Sequence, residues 1–370
     1  MPKRTQLYRV NATTMNTLIG LNGEAIVNTT RKSLHIHDGA TPGGYETARA
    51  DMSNVPDASA SAPGRMSIAQ VNLLAQTQSV VENAAIFGTC GARLSLNNSP
   101  TGITMDVSSP TTTMWLVPVN HNRIPVYDSG TGTWKQYIIG DSISGSFAGI
   151  AADKVFDIFL YVSGSTPTLE FLAWSTTTSR ATSLTLKDGV LVKNGDPTRL
   201  YLGTAYRDAS GCVDDLDRRW LWNFYNRYQR YLYDGFGFAA SWTYSLAAYR
   251  VINARTVPSL SFVLGISGCR VNLEHAGVFD SSTATLRNCF VGIAVNNDIA
   301  TPSTSDDSLI RIPASGSNVI VGCPRAIRNQ TFGAGLSVVW PLERGNGVDT
   351  QTWYGVSGNI QSGIFGDLEN

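Results

Sequence analysis

The sequence predicts a mainly β protein with a small N-terminal β module, a short helix, and then two β-sandwich or barrel-like domains separated by an aromatic helix. Short runs rich in β-branched and aromatic residues recur along the chain, for example Ile158–Val162, Leu169–Leu172, Gly189–Val192 and Ser261–Leu264. Clusters of Gly, Ser, Thr and Asn separate them, which is typical of strands joined by turns. Because 370 residues exceed what one hydrophobic core usually serves, we expect more than one domain.

Composition narrows the classes of function. The 28 Lys and Arg residues equal the 28 Asp and Glu residues, and charged residues make up only 15% of the chain, so no basic surface for general nucleic-acid binding is predicted. No apolar run approaches the roughly 18 residues that cross a bilayer, so we expect no membrane insertion. The start of the chain shows no secretory signal, and assembly in a cytoplasm is expected.

The cysteines are too scattered to indicate a disulfide framework or a zinc site. The chain contains no Cys-x-x-Cys pair, and we expect the cysteines to be small buried apolar residues, with no cofactor. They are Cys90, Cys212, Cys269, Cys289 and Cys323.

The first module spans residues 1–48. Two short strands, Ala25–Val27 and Leu34–His37, are separated by a turn at Asn28–Arg31, and Asp38-Gly39 forms a second turn. Domains near or below about 40 residues generally need a metal, disulfides or association with other subunits. We therefore expect subunit association, and a homotrimer would provide it.

A linker and short helix occupy residues 49–90. Residues 48–63 are small or turn-forming, and Ser67 is placed to cap a helix running to about residue 85. Its apolar residues lie at alternating spacings of three and four, interrupted by Gln78, so self-association about a fibre axis would give the helix a partner. They are Val71, Leu74, Val81 and Ala85.

Residues 91–213 form the next predicted β domain, with a hairpin loop at Asp128–Gly132. Residues 214–234 are predicted as an aromatic helix, because acidic residues stand at its front and four rings recur at spacings of 4, 4 and 3. The rings, Trp220, Phe224, Tyr228 and Tyr231, would lie at a subunit or domain interface. A C-terminal β domain fills residues 235–370.

Three groups of residues are candidates for ligand chemistry. His35 and His37 alternate on a strand and could share a metal, although no third ligand is evident. Arginines interleave with rings in 218–230, but nearby aspartates offset their charge, so nucleic-acid binding is not predicted. Exposed rings in C-terminal loops would suit a sugar face, although core placement is the competing interpretation. These rings are Trp340, Trp353 and Tyr354.

Paired carboxylates would be needed for glycoside hydrolysis. The visible pairs are Asp214-Asp215 and Asp306-Asp307, and we interpret both as capping or solvated residues, because neighbours in sequence seldom face one another across a substrate. No catalytic motif and no solenoid repeat is evident. We therefore predict no catalytic residue, and the chain is not expected to be an enzyme.

The first fifty residues resemble the small N-terminal module of bacteriophage tail-fibre and receptor-binding proteins. The resemblance rests on Gly23-Glu24 before a strand, Thr29-Thr30 in a turn, His37-Asp38-Gly39 after a strand, and the pair Gly43-Gly44. Asn28 stands where that family usually has Asp, and Val10-Asn11-Ala12 replaces its usual Arg-Gly-Thr. The resemblance implies virion docking through Gly23, Glu24, Thr29, Thr30, His37, Asp38 and Gly39.

A second resemblance spans residues 105–235. Segments such as 155–161, 187–193, 199–204 and 219–227 occur in the same order in uncharacterised phage and prophage structural proteins. That family implies a virion component, with no chemistry attached to these residues.

Together these features predict a structural protein of a bacteriophage virion, namely a trimeric tail fibre that docks by its N-terminus and presents C-terminal β domains to the host. Its expected partners are copies of itself, other tail or capsid proteins, and a host surface glycan. Alternatives are a capsid-surface fibre or decoration protein, a polysaccharide-degrading tailspike enzyme, and a free carbohydrate-binding module.

Overall fold

The chain forms two compact units, Met1–Ala85 and Ile86–Asn370. The computed structural model describes residues 6–47, 49, 53–56, 66–74, 90–98, 106–281, 287–296, 308–312, 320–322, 324–356 and 362–370. These residues are mainly in β-strands, as the sequence predicts. In that described part, neither α-helical segment has the length and hydropathy that crossing a bilayer requires.

The first unit is built around one four-stranded sheet. Its elements are β1 (Tyr8–Val10), α1 (Ala12–Met15), β2 (Ala25–Asn28), β3 (Ser33–Ile36) and β4 (Tyr45–Glu46). The sheet order is β1-β2-β3-β4, with β1 parallel to β2 and the other pairs antiparallel. Its core consists of Val10, Met15 and Ile26, with Leu18 packed against them.

Residues 68–74 of this unit are helical. The hydroxyl of Ser67 accepts the backbone N–H of Gln70 at 3.1 Å, and the Gln70 side chain accepts the Ser67 N–H at 2.8 Å. This reciprocal pair is a capping box, which satisfies two backbone donors at a helix start. The predicted residues Gln78, Val81 and Ala85 lie outside the described residues.

The second unit contains many short strands. In chain order they are β5 (Ala92–Ser95), β6 (Val107–Thr111), β7 (Thr113–Pro118), β8 (Arg123–Asp128), β9 (Thr133–Ile138), β10 (Ile143–Ser146), β11 (Lys154–Ser163), β12 (Thr166–Ala173), β13 (Leu184–Lys187), β14 (Val190–Lys193), β15 (Asp196–Arg207), β16 (Cys212–Asp214), β17 (Arg218–Arg219), β18 (Leu221–Asn223), β19 (Gln229–Gly235), β20 (Ser241–Tyr244), β21 (Arg250–Val251), β22 (Leu260–Leu264), β23 (Cys269–Ala276), β24 (Val278–Ser281), β25 (Arg287–Val295), β26 (Ser308–Ile312), β27 (Ile320–Gly322), β28 (Arg325–Phe332), β29 (Gly335–Arg344), β30 (Gln351–Tyr354) and β31 (Gly363–Glu369). A 3₁₀ turn, Ile252–Ala254, follows β21.

These strands pair into several sheets. The sheet orders are β10-β7-β5; β12-β11-β15-β14-β13 with β18 also on β15; β26-β25-β29-β22-β17-β16-β6 with β21 on β29; β19-β31-β23-β28; β20-β30-β24-β27; and the hairpin β8-β9. The predicted hairpin loop at Asp128–Gly132 joins β8 to β9, as expected from its sequence.

The sheet that contains β11 and β15 lies between two hydrophobic cores. Val155 and Phe159 of β11 belong to one core, whereas Phe156 and Ile158 belong to the other. A bulge between Ile158 and Phe159 interrupts the pairing of β11 with β15. The strand is therefore buried on both faces, which explains its nearly continuous apolar sequence.

The prediction of an aromatic helix over 214–234 is wrong. The region contains β16, β17, β18 and β19 instead. In β19, Arg230 and Leu232 are buried while Tyr231 and Tyr233 are exposed, which is the period-two pattern of a strand. Trp220 directly precedes β18, Phe224 directly follows it and Tyr231 lies in β19, so no helix carries the rings. A turn in which the Asp215 carboxylate accepts the Arg218 N–H at 3.0 Å separates β16 from β17. Tertiary pairing overrides the local pattern.

The predicted boundary between two β domains at 214–234 is also absent. Strand β17 pairs with β22, and β19 pairs with β31, so residues from both sides share sheets. The Arg93 side chain donates to the backbone oxygen of Asn370 at 2.6 Å. Because these contacts join both predicted domains, residues 86–370 form one unit.

Truncating a side chain in the doubly buried strand should destabilise the second unit. Phe159→Ala removes a fully buried ring and should lower the free energy of unfolding by about 3 to 5 kcal/mol. Denaturation in guanidinium chloride, followed by tryptophan fluorescence, measures the change. Leu186→Ala is the control, because Leu186 is 65% exposed and its loss should cost no more than about 0.5 kcal/mol. Equal effects of the two variants would contradict this placement of β11.

Candidate functional site

His37 is held among backbone groups of the first unit. Its Nδ1 accepts the N–H of Gly20 at 3.0 Å, and its backbone oxygen accepts the N–H of Gly23 at 2.7 Å. The His37 N–H donates to the Glu24 carbonyl at 2.9 Å, and the Glu24 carboxylate accepts the Leu21 N–H at 2.8 Å. Three residues of the predicted docking motif, Gly23, Glu24 and His37, therefore fix one loop against the end of β3.

The other motif residues also form turns. Asp38 accepts the N–H groups of Ala40 and Thr41 through Oδ1, and the Thr41 hydroxyl through Oδ2. These bonds, led by the Thr41 N–H, hold the pKa of Asp38 well below its usual value. Gly39 has a φ of +80°, in the left-handed region that glycine adopts without strain.

The two threonines of the motif connect the β2–β3 turn to β1 and α1. The Thr29 hydroxyl donates to the Val10 carbonyl at 3.0 Å, and the Thr30 hydroxyl accepts the Ala12 N–H at 3.1 Å. In this structure every motif residue thus has a place in the turns of the unit. The motif residues therefore shape these turns, while Gly23, Thr29, Thr30 and Gly39 are also exposed to solvent. Virion docking through the motif stays a prediction.

The histidine pair is buried. His35 Nδ1 lies 2.8 Å from the Gly43 carbonyl, and its Nε2 lies 3.3 Å from the Ser33 hydroxyl. His37 is 1% exposed, and its Nδ1 is taken by Gly20. Within the described ranges, no group of three or more His, Cys, Asp or Glu residues is arranged to hold a metal ion.

The side of the N-terminal sheet opposite its core carries apolar residues. Strand alternation places Ala25 and Val27 of β2 on this side, with Leu34 and Ile36 of β3 and with Tyr45 of β4. We call these five residues the N-terminal apolar face. Ile36 is 37% exposed and Tyr45 is 61% exposed. A unit with so small a core leaves much of its apolar surface in contact with water.

The four rings predicted to share one interface are separated. Trp220 is buried and donates to the Ser261 hydroxyl at 2.8 Å, while Phe224 packs against Tyr201. Tyr228 lies beside the Arg93 guanidinium, 5.0 Å from ring centroid to Cζ, and Tyr231 points outward from β19. Trp220 is part of the core of the second unit. No single face presents the four rings.

The rings predicted to contact a glycan are not exposed together either. Trp353 is fully buried and packs on Phe279 with the centroids 5.3 Å apart, so its prediction as a sugar contact is wrong. Trp340 is half-buried against Ala294 and Leu342. The Tyr354 hydroxyl donates to the Asp280 carboxylate. For Trp353, the competing core interpretation is the correct one.

Asp214 belongs to a buried charged cluster. Its Oδ2 lies 3.2 Å from Arg230, while Asp106 accepts both Arg219 at 2.7 Å and Arg230 at 3.0 Å. Burial raises the pKa of Asp214 to about 6, and the guanidinium groups of Arg230, Arg219 and Arg93 oppose that rise. The neighbouring Asp215 pairs with Arg218. Asp306 and Asp307 lie outside the described residues.

Two further buried carboxylates escape the sequence analysis. Asp157 accepts Arg180 at 2.7 Å and the Thr204 hydroxyl at 2.7 Å, and burial raises its pKa. Glu343 accepts the Trp242 indole N–H at 2.6 Å and Arg250 at 2.7 Å, and burial raises its pKa as well. Both carboxylates are enclosed by donors, which suits an anchoring role. An acidic residue inside an apolar strand, as in Val155–Phe159, was the available signal for Asp157.

The outward side of the β19-β31-β23-β28 sheet carries both polar and aromatic side chains. Tyr231 of β19, Asp367 of β31 and Asn272 of β23 lie side by side in register on it. Tyr231 is 66% exposed, and Tyr233 is 44% exposed. We call this surface the outer sheet face. A shallow cavity of about 460 Å³ opens on it.

Comparisons with known proteins give little guidance. No family model and no curated protein matches the sequence. Solved structures with local similarity include the Major Tropism Determinant I1 and P3c variants, at 13% and 12% identity, each with a TM-score of 0.23 over 72% of this chain. The aligned region spans only 56% of each variant. Dimeric latent PorU from Porphyromonas gingivalis aligns over 75% of this chain and 21% of its own, at 9% identity and a TM-score of 0.25. Scores this low do not establish a shared fold.

The buried His275 of β23 should make stability depend on pH. Burial lowers its pKa from 6.5 to about 4, although Nδ1 lies 3.1 Å from the Gly292 carbonyl. The unfolded chain therefore binds a proton that the folded chain does not, and stability is lost as pH falls from 6.5 towards 4. The loss should reach at most about 1.4 kcal/mol per pH unit. Unfolding of the wild type and of His275→Asn, measured from pH 7 to pH 4, should differ increasingly in that direction. Parallel pH profiles would refute it.

Proposed function

We propose that this chain is a non-enzymatic structural protein of a bacteriophage virion, which docks by its first unit and presents its second unit to the host. The resemblance of residues 1–48 to phage docking modules supports this function. The structural observation that supports it is the N-terminal apolar face, which is half-buried at Ala25, Val27 and Leu34 and exposed at Ile36 and Tyr45. The core of the described part of this unit is very small. Such a surface is expected where another protein binds.

A homotrimer would satisfy this need. The buried core residues Val10, Met15 and Ile26 are few for an independent unit, and small domains commonly depend on association. The helical residues 68–74 also present apolar side chains to solvent: Ile68 is 82% exposed and Val71 is 50% exposed. Three copies packed about one axis would cover both surfaces. Trimerisation is thus proposed to stabilise the docking end of the fibre.

The way in which the carboxylates described above are held by buried donors supports an adhesive role without covalent chemistry. Asp157 and Glu343 are held by buried donors, and the carboxylate of Asp214 faces three arginines. A glycosidase needs two carboxyl groups that flank a substrate and exchange protons with it. These groups serve instead as buried anchors in our proposal.

Charging the N-terminal apolar face should dissociate the assembly. We expect the wild type to have the mass of three chains in solution, and the double variant Ile36→Asp with Tyr45→Asp to have the mass of one. The reason is that carboxylates buried at a subunit interface lose hydration without gaining a partner. Sedimentation equilibrium at micromolar concentration measures the masses.

The matched control is Leu186→Asp, which charges an exposed apolar position of the second unit. It should leave the trimer intact. A wild type that sediments as a single chain would contradict the proposed assembly.

Labelled antibodies against the chain should mark intact phage particles in electron micrographs. Labels on the tail would agree with a tail fibre, whereas labels on the head would identify a capsid-surface fibre and reject the tail assignment. Particles without label would reject the virion function itself. Release of new reducing ends from host polysaccharide by the purified protein would reject the non-enzymatic proposal.

A further inference from the structure

We propose that the outer sheet face binds a neutral carbohydrate. The inference concerns residues that the sequence analysis did not connect with sugar binding: a row of amide and carboxylate side chains that crosses three strands, flanked by exposed tyrosine rings. It rests on the proposed function and extends it. It names the class of ligand that the host-facing unit binds and the surface on which that ligand binds.

The row is held by hydrogen bonds between its own members. Gln229 Nε2 donates to Asp367 Oδ2 at 2.9 Å, and Asn272 Nδ2 donates to Asp367 Oδ1 at 3.0 Å. Each amide uses one N–H in this way, and the exposed Gln229 keeps its second N–H and its amide oxygen for other partners. Planar groups with spare donors and acceptors, fixed on rigid strands, suit the adjacent hydroxyl groups of a sugar.

The rings supply the second requirement of sugar recognition. Tyr231 pairs in register with Asp367, and Tyr233 pairs with Phe365, so both rings lie on the same side as the row. Their exposure is high for large rings on a sheet. A pyranose has one face of C–H groups, which packs against a flat apolar ring while its hydroxyl groups reach polar neighbours.

Charge selects a neutral ligand over an anionic one. The charged residues that line the cavity are Arg227, Arg270, Asp367 and Glu369, which sum to zero. Arg227 lies 3.6 Å from Glu369, so its charge is already partly balanced. A polyanion such as nucleic acid or an acidic polysaccharide would meet two carboxylates with no surplus of positive charge.

The cavity has the right scale for a short segment of glycan. Its volume of about 460 Å³ falls within the range of roughly 300 to 1,000 Å³ usual for small-ligand sites. Gln229, Asn272 and Asp367 line the cavity, whereas Tyr231 lies outside its lining and beside Asp367 on the same face. A polysaccharide chain could therefore continue from the open cavity onto the ring. We therefore expect binding along a polymer, with one or two sugar rings held at this position.

Affinity electrophoresis of the full chain tests the proposal. The purified protein is run through native gels that contain dextran, mannan, galactan or the anionic polysaccharide alginate. We expect at least one neutral polymer to retard the protein more than alginate does. Tyr231→Ala should weaken that retardation by about tenfold, equivalent to about 1.4 kcal/mol, and Tyr231→Phe, which keeps the ring, should retain it.

Tyr8→Ala is the matched control, because Tyr8 is a 59% exposed tyrosine of the first unit that does not belong to the N-terminal apolar face. It should bind as the wild type does, and melting temperatures of all variants should agree within the error of measurement. Absence of retardation by every neutral polymer, stronger retardation by alginate, or unchanged binding by Tyr231→Ala would each overturn the proposal.

The binding experiment and the antibody labelling of particles test the sugar site and the virion function separately. If antibodies label phage particles while the outer sheet face binds no neutral polymer, the sugar site is refuted and the virion function stands. If the face binds a polymer while particles carry no label, the site stands and the virion function is refuted.

Discussion

Burial of β11 and β15 on both faces is the constraint on which the second unit depends. The two strands contribute side chains to both large cores, so a disruption of this layer removes buried contacts from both. Asp157 lies in this layer, and its carboxylate is tolerated because Arg180 and Thr204 donate to it. Arg180 also donates to the carbonyl of Gly265 and stacks 4.3 Å from the Trp174 ring. One ion pair thus joins the central layer to the loop after β22.

The strand content of this chain could be predicted because it depends on local sequence, namely on short apolar runs between turn residues. The runs 158–162 and 261–264 lie within β11 and β22, and both are apolar and bounded by turn residues. The segment 214–234 could not be predicted in the same way. Its rings fit a helical period by coincidence, whereas its actual partners, β22 and β31, lie far along the chain. Pairing over such distances leaves no mark in a short window of sequence.

The candidate sites show the same limit. Residue type identified His37 and Asp38 as notable, but their roles in turns depend on backbone groups of Gly20 and Thr41 that only the fold brings near. The solvent exposure of each side chain was the other property that the sequence did not reveal. Trp353 and Tyr231 are both aromatic residues in strands, yet one is fully buried and the other is 66% exposed. The polar row on the outer sheet face combines residues of three strands, 229–235, 269–276 and 363–369, so no single motif could reveal it.

The hydrogen bond from Arg93 to Asn370 spans 277 residues and has a consequence for biogenesis. β5 leaves the ribosome long before β31 is synthesised. Until β31 is made, one face of β11 and β15 lacks some of the side chains that pack against it. Chains in which such distant pairings dominate fold slowly and populate intermediates that are prone to aggregation. We therefore expect productive synthesis of this protein to depend on chaperone capacity in the cell and to favour low growth temperature.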